Sequence, residues 1–128
     1  MLPFTFHKQE RMVSRRLIDE LFTAPGNHSV AVFPLRAVYK YKERAKDASC
    51  VQLLISVPKK HFKHAVDRNR VKRQVREAYR LHKAILYAAI PADRQLLLSF
   101  VWLSDRHLPT FKVETTVLSL LQRIAERL

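Results

Sequence analysis

Glycine and cysteine are almost absent from this chain, and each absence excludes a class of site. The single glycine, Gly26, is too few for a glycine-rich loop that wraps a phosphate group. The single cysteine, Cys50, excludes a disulfide framework, and its apolar neighbours favour a buried thiol in a reducing compartment. No apolar run approaches the roughly 20 residues that span a bilayer, and the N-terminus lacks the apolar core of a signal peptide. We therefore expect a soluble, cytoplasmic protein.

Acidic residues are also scarce. The 128 residues include 24 Lys and Arg but only 11 Asp and Glu, so the net charge is +13. A charge of this size exceeds what solubility requires and predicts a polyanionic partner: RNA, DNA or an acidic membrane surface. Because 48% of the residues are hydrophobic, the chain can also form a core. Its length fits a single domain over residues 1–128.

Hydrophobic periodicity predicts an α/β sandwich of the α+β type, in the order α-β-β-α-β-α, with helices packed on a small sheet. The predicted helices cover residues 13–23, 65–88 and 110–128, and the predicted strands cover 29–41, 50–57 and 95–102. The first two strands are expected to pair antiparallel through the charged loop between them. The third strand is apolar on both faces, which is typical of a central strand.

The long central helix carries the most unusual stretch, "DRNRVKRQVREAYR" at residues 67–80. Residues 59–83 hold ten of the basic residues of the chain and two of its acids. At about 100° per residue, the polar positions form one face beside an apolar face that can dock on the sheet. The cations on this face are Arg68, Arg70, Lys72, Arg73, Arg76, Arg80 and Lys83.

A solvated helix face normally mixes charges of both signs to form i,i+4 pairs. The near absence of acids here favours contact with nucleic acid instead. A membrane-surface helix is less favoured, because the apolar face is needed for the core of the protein. A DNA-reading basic helix would need a leucine zipper or a partner-helix pattern beside it, and the sequence has neither.

The stretch "HAVDRNRVKRQVREAYR" closely resembles the signature of the bacterial ribonuclease P protein component. Further stretches are similar to the family's first helix, first two strands and last helix: "FTFHKQERMVSRRLIDELF", "FPLRAVYKY", "LLISVPKK" and "TVLSLLQRIAERL". The resemblance covers nearly the whole chain. It also implies that the parallel strand-helix-strand unit has a left-handed crossover, whereas general statistics favour a right-handed one.

This resemblance implies a function that composition alone does not. The chain would be the protein subunit of an endoribonuclease, in which a large catalytic RNA removes the 5′ leader from precursor tRNA. The RNA and substrate would hold the catalytic Mg²⁺ ions, and the protein would bind the catalytic RNA and the leader. The resemblance implies no obligate protein partner.

The resemblance also assigns residues to two surfaces. Those expected to face the catalytic RNA are Arg68, Asn69, Arg70, Lys72, Arg73 and Arg76, with Lys59 and Lys60 extending the surface. The leader is expected in a cleft between the first helix and the sheet, where the candidates are Phe6, Leu17, Leu21, Phe22 and Tyr39. Tyr39 is the strongest of these candidates, because strand alternation puts it on one face with Tyr41, flanked by Lys40 and Lys42. The three candidates on the helix fit core packing equally well.

The residues themselves predict no catalytic centre. Acids are scattered singly apart from Asp19 and Glu20, whose side chains diverge on a helix, so no carboxylate cluster is predicted to bind two metal ions. His61 and His64 have the spacing of metal ligands but lack a third ligand, which favours solvated or RNA-facing histidines. His82 is expected in the core. Two alternatives remain open: a general RNA-binding or ribosome-associated protein, and a stand-alone metal-dependent nuclease.

Overall fold

The computed structural model describes residues 10–23, 25–46 and 48–128, and these residues form four helices and four strands. In chain order the elements are α1 (Arg15–Thr23), β1 (His28–Val32), β2 (Leu35–Glu43), β3 (Val51–Ser56), α2 (Ala65–His82), α3 (Ala84–Ala89), β4 (Arg94–Trp102) and α4 (Thr110–Arg127). The predicted α+β class, with helices packed on a small sheet, is confirmed.

The first predicted strand is a hairpin of two strands. β1 and β2 pair antiparallel, with Val32 opposite Leu35, and Phe33 and Pro34 form the turn between them. Proline has no N–H to donate to a sheet, so the chain reverses where Pro34 falls. The peptide bond between Phe33 and Pro34 is cis.

The sheet has the strand order β1-β2-β4-β3. β4 pairs antiparallel with β2 and parallel with β3, so the expected antiparallel pairing between the first two predicted strands is wrong. The physical reason is the apolar character of β4, whose residues from Gln95 to Phe100 are all buried. Such a strand is most stable with a neighbour on each side and a covered face above and below. Its predicted central position is confirmed, while the handedness of the β3-to-β4 crossover stays a prediction.

The helices cover the two faces of the sheet unequally. α2, α3 and α4 lie over one face and enclose the main core, which contains Trp102, Phe100 and Tyr79 among its largest side chains. α1 lies on the other face over a smaller cluster that includes Leu21 and Val38. The helix predicted over 65–88 is divided at Lys83, where α2 ends and the short α3 begins. Lys83 is buried at this junction, so its predicted place on the basic face of the helix is wrong.

In the part of the chain that the structure describes, no helix combines the length and apolar character needed to cross a membrane.

Candidate nucleic-acid interface

α2 presents its cations because its apolar side chains fix its orientation. Val71, Val75, Ala78 and Tyr79 are buried against the sheet and α4. They recur at helical spacing, so the remaining sides of the helix turn outward. We call the outward side of α2, with the turn after β3, the basic surface. Its members are Lys59, Lys60, Arg68, Asn69, Arg70, Lys72, Arg73, Arg76 and Arg80.

The members of the basic surface differ in how far their charges are already engaged. Arg68 Nη1 donates to the carbonyl oxygens of Phe62 (2.9 Å) and Lys63 (2.8 Å) and so holds the segment that leads into α2. Arg80 forms two hydrogen bonds with Glu77, at 2.8 and 3.0 Å. The hydrogen bond from Arg80 lowers the pKa of the Glu77 carboxyl group, which therefore stays ionised at neutral pH. These two arginines are partly committed within the protein.

Three side chains in the middle of the basic surface are exposed and unengaged. Asn69, Arg70 and Arg73 lie outward on α2, and within the described residues none of them has a hydrogen-bond or ion-pair partner. Lys59 and Lys60 are exposed in the turn that follows β3. Exposed guanidinium groups without a carboxylate partner suit the bidentate recognition of phosphate.

Histidines engage the acids nearest to the start of α2. His107 Nε2 lies 3.0 Å from Asp67 Oδ1, and the His107 ring stacks on Phe62 with centroids 4.5 Å apart. His61 Nδ1 lies 2.6 Å from Asp105 Oδ1. These contacts fasten the connection between β4 and α4 to the beginning of α2. They also direct both carboxylates toward histidines.

His61 and His64, whose spacing resembles that of metal ligands, lie in different surroundings. His61 has a carboxylate partner, and His64 is exposed at the N-cap position of α2. Among the residues described, no three His, Cys, Asp or Glu side chains converge as metal ligands would. His82, expected in the core, is half-buried at the edge of α2, with Nε2 2.9 Å from Glu114 Oε1. Because the polar His82 ring lies at the rim of the core, it can keep its contact with Glu114, which explains why His82 is only half-buried.

A cleft lies between α2 and the segment that precedes α1. Its volume is about 180 Å³. The residues lining it are Arg11, Met12, Val13, Leu53, Leu54, Ile55, Lys72 and Arg76. The lining combines an apolar floor with three cations from two separate parts of the chain. We call this feature the cationic cleft. Arg11 was not predicted as a site residue, since a single arginine outside the charge run gives no periodic signal.

Tyr39 does not form the predicted aromatic platform. It is 2% exposed and belongs to the main core, on the sheet face covered by α4. Its cross-strand partner is His28, whose ring centroid lies 5.4 Å away. Strand alternation does place Val38 on the opposite face, as expected, but that is the face on which α1 lies. The prediction that Tyr39 lines a cleft beside α1 is therefore wrong.

The lysines expected to flank that platform belong to the α1 face. Lys42 Nζ donates to Glu20 Oε2 at 3.0 Å, and Lys40 Nζ lies 3.6 Å from Glu20 Oε1. The hydrogen bond from Lys42 lowers the pKa of Glu20. Both lysines thus fasten α1 to β2, although partly exposed pairs of this kind add only about 0–1 kcal/mol to stability.

The other cleft candidates divide between core and surface. Leu21 is fully buried in the cluster beneath α1, and Leu17 packs partly buried against that cluster. Core packing is therefore the role of Leu21. Phe22 is 42% exposed on α1. Phe6 lies outside the described residues.

The fold and the site together define a small basic α+β protein whose outward helix and adjoining cleft suit a polyanionic ligand. A family model described as ribonuclease P matches residues 6–122. The ribonuclease P protein component of Porphyromonas gingivalis is 42% identical over 126 residues, which cover 95% of this chain and 88% of that relative. The chain therefore belongs to the ribonuclease P protein family, whose members are components of a tRNA-processing endoribonuclease.

Two solved structures show the same fold. A mutant RNase P protein of Staphylococcus aureus with defective mRNA degradation activity has a TM-score of 0.66 at 24% identity, over 93% of this chain and 90% of that one. The RNase P protein of Thermotoga maritima has a TM-score of 0.63 at 24% identity, over 89% and 96% of the two chains. The resemblance inferred from the sequence is confirmed.

Proposed function

We propose that this protein binds the catalytic RNA of ribonuclease P through the basic surface and the 5′ leader of precursor tRNA through the cationic cleft. The observation that carries the proposal is the acid-poor centre of α2. There Asn69, Arg70 and Arg73 are exposed without partners among the described residues, on a helix that packing holds in one orientation.

The basic surface suits a folded RNA because its cations are spread over a rigid element. Arg70 and Arg73 contact phosphates directly in this proposal, and Lys59 and Lys60 extend the contact beyond the N-terminal end of α2. Arg68 adds positive charge but also braces the segment before the helix, and Arg80 shares its charge with Glu77. Phosphate contacts of this kind give affinity that falls steeply with salt.

The cationic cleft suits a single strand because it offers both kinds of contact that such a strand requires. Arg11, Lys72 and Arg76 can neutralise phosphates along its walls, and Leu54 and Ile55 give an apolar floor for sugars and bases. Single-stranded nucleic acid is commonly bound by this combination of charge and apolar or aromatic surface. The exposed Phe22 on α1 offers a further stacking surface.

In this proposal the RNA supplies the catalytic centre, and the RNA and substrate hold the Mg²⁺ ions. Hydrolysis assisted by two metal ions needs convergent carboxylates. The acids nearest the basic surface are instead engaged one by one, Asp67 by His107, Glu77 by Arg80 and Asp105 by His61. The protein then acts by positioning the leader and neutralising phosphates. A cytoplasmic location, expected from the sequence, belongs to the same proposal.

The experiment compares precursor tRNA with mature tRNA. The holoenzyme is assembled from the protein and its cognate RNA, and the affinity for each tRNA is measured with and without protein. We expect the protein to tighten the binding of precursor tRNA by ten-fold or more, about 1.4 kcal/mol, and to leave mature tRNA nearly unchanged. Equal tightening of both tRNAs would favour the alternative, a general RNA-binding protein.

A further inference from the structure

A buried polar cluster lies where the segment before α1 meets the end of α2. Glu10 is 4% exposed and Lys83 is 3% exposed, and Lys83 Nζ lies 2.6 Å from Glu10 Oε1. Tyr87 Oη donates to the same carboxylate oxygen at 2.5 Å. Burial raises the pKa of the Tyr87 phenol above its ordinary value, so it keeps its proton and remains a donor at neutral pH. Buried charges are rare unless they are paired in this way.

The cluster joins parts of the chain that are far apart in sequence. Glu10 and Lys83 are separated by 73 positions, and Tyr87 lies on α3. Two residues after Glu10, the Met12 N–H donates to the Leu53 carbonyl oxygen at 2.9 Å. Residues 10–12 are therefore held at one end by the Glu10 side chain, which contacts the end of α2 and α3, and at the other end by a backbone hydrogen bond to β3.

Arg11 lies between these two anchors and forms a parallel bridge with Leu53. It lines the cationic cleft together with Lys72 and Arg76 of α2. Whether Arg11 faces the cleft depends on the register of residues 10–12 along β3. Because side chains alternate along an extended segment, a slip of one residue would turn Arg11 toward Lys83 and Glu10 away from it.

Stability alone does not account for a buried ion pair at this position. Replacing such a pair with apolar residues of similar volume is often neutral or stabilising, because the charges lose their hydration when they are buried. What the pair does provide is a single arrangement, since Lys83 and Tyr87 both donate to the carboxylate of Glu10. The best-attested use of a buried polar pair is to fix register in this way.

We propose that Glu10 and Lys83 are positioning residues that fix the register of residues 10–12 on β3 and so hold Arg11 across the cleft from Lys72 and Arg76. The proposal rests on the proposed function, because the leader of precursor tRNA is the ligand that Arg11 would contact. The pair itself touches no substrate and acts through Arg11.

The first test needs no RNA. Hydrogen–deuterium exchange is measured for the Met12 amide in the wild type and in the double variant Glu10→Leu/Lys83→Met, which keeps the volume of the pair and removes its charges. We expect the variant to lose protection at Met12 while the amides of β4 stay protected. Unchanged protection at Met12 would overturn the proposal. Lys83→Met alone would leave the buried Glu10 carboxylate without the opposite charge of Lys83, so the double variant is the cleaner comparison.

The second test measures function. In the holoenzyme, Glu10→Leu/Lys83→Met should weaken the binding of precursor tRNA by about ten-fold, as expected for one lost charge-assisted contact, and leave mature tRNA unchanged. The swapped pair Glu10→Lys/Lys83→Glu should restore part of the loss, because it restores the attraction.

Arg11→Gln completes a double-mutant cycle. If the Glu10–Lys83 pair acts through Arg11, adding Glu10→Leu/Lys83→Met to the Arg11→Gln variant should cause no further loss of precursor tRNA binding. Losses that simply add, or that are equal for precursor and mature tRNA, would show a merely structural role. If the wild-type protein itself does not favour precursor tRNA, the proposed function fails, and the exchange at Met12 still decides whether the pair fixes register.

Discussion

Tyr39 packs beside His28 and lies opposite Leu98 of the central strand, with the helices of the main core above it. Truncation of this ring would leave a cavity in a sheet that is covered on that face. The energetic role of Tyr39 is therefore packing rather than stacking on a nucleobase.

Tyr39→Ala is expected to lower the free energy of unfolding by about 3 kcal/mol, in the range for the loss of a buried aromatic ring. Any loss of tRNA affinity should be equal for precursor and mature tRNA, because the mutation would act through the fold. Thermal or denaturant unfolding and the two affinities measure this, and Tyr39→Phe, which keeps the ring, is the control. A stable Tyr39→Ala protein that loses only the binding of precursor tRNA would contradict the packing role and support the aromatic platform predicted from the sequence.

The orientation of Tyr39 shows what the sequence can and cannot predict for a single residue. Alternation along β2 predicts that Val38 and Tyr39 point to opposite faces, and they do. It does not predict which face receives α1, because that depends on contacts between elements far apart in the chain. The role of Glu10 was equally hidden, since a single acid near the N-terminus gives no sign that its partner is Lys83.

At the scale of elements, the helices were the most predictable part. The apolar stripe of α2 and the outward side of its cations follow from a period of 3.6 residues, which is a local property. The sheet order was not predictable in the same way. β4 lies between β2 and β3 although it follows both in sequence, and no local pattern specifies that insertion. The turn at Pro34 had a local signal, since proline interrupts the apolar run of residues 29–41.

The basic surface of α2 gives a prediction about salt. Arg70→Glu should weaken binding to the cognate catalytic RNA and reduce the slope of log affinity against log salt by about one unit, since each phosphate contact releases counterions. Arg70 is a better choice than Arg68, because Arg68 also holds the carbonyl groups of Phe62 and Lys63.

Arg123→Glu is the matched control for this measurement. It makes the same change of charge at an exposed position on α4, outside the basic surface. It should alter the salt slope much less than Arg70→Glu. Equal slopes for the two variants, with equal affinities, would mean that net charge rather than the outward side of α2 governs RNA binding.

At the scale of the whole molecule, charge and topology act together. The chain carries a net charge of +13, and its most concentrated cations lie on α2, which joins two parallel neighbouring strands. One side of this helix is outward, and Lys72 and Arg76 line the cationic cleft. A single rigid element thus borders both proposed RNA surfaces, which would let the protein hold the leader at a fixed place relative to the catalytic RNA.

The central claim is that the protein promotes RNA-catalysed removal of the leader and does not cleave RNA by itself. The most direct measurement is the cleavage of precursor tRNA at low Mg²⁺ by the protein alone, by the cognate RNA alone and by both together. We predict no cleavage by the protein, weak cleavage by the RNA and efficient 5′ processing by the pair. Efficient cleavage by the purified protein, abolished by substitution of one of its acidic residues, would contradict the account.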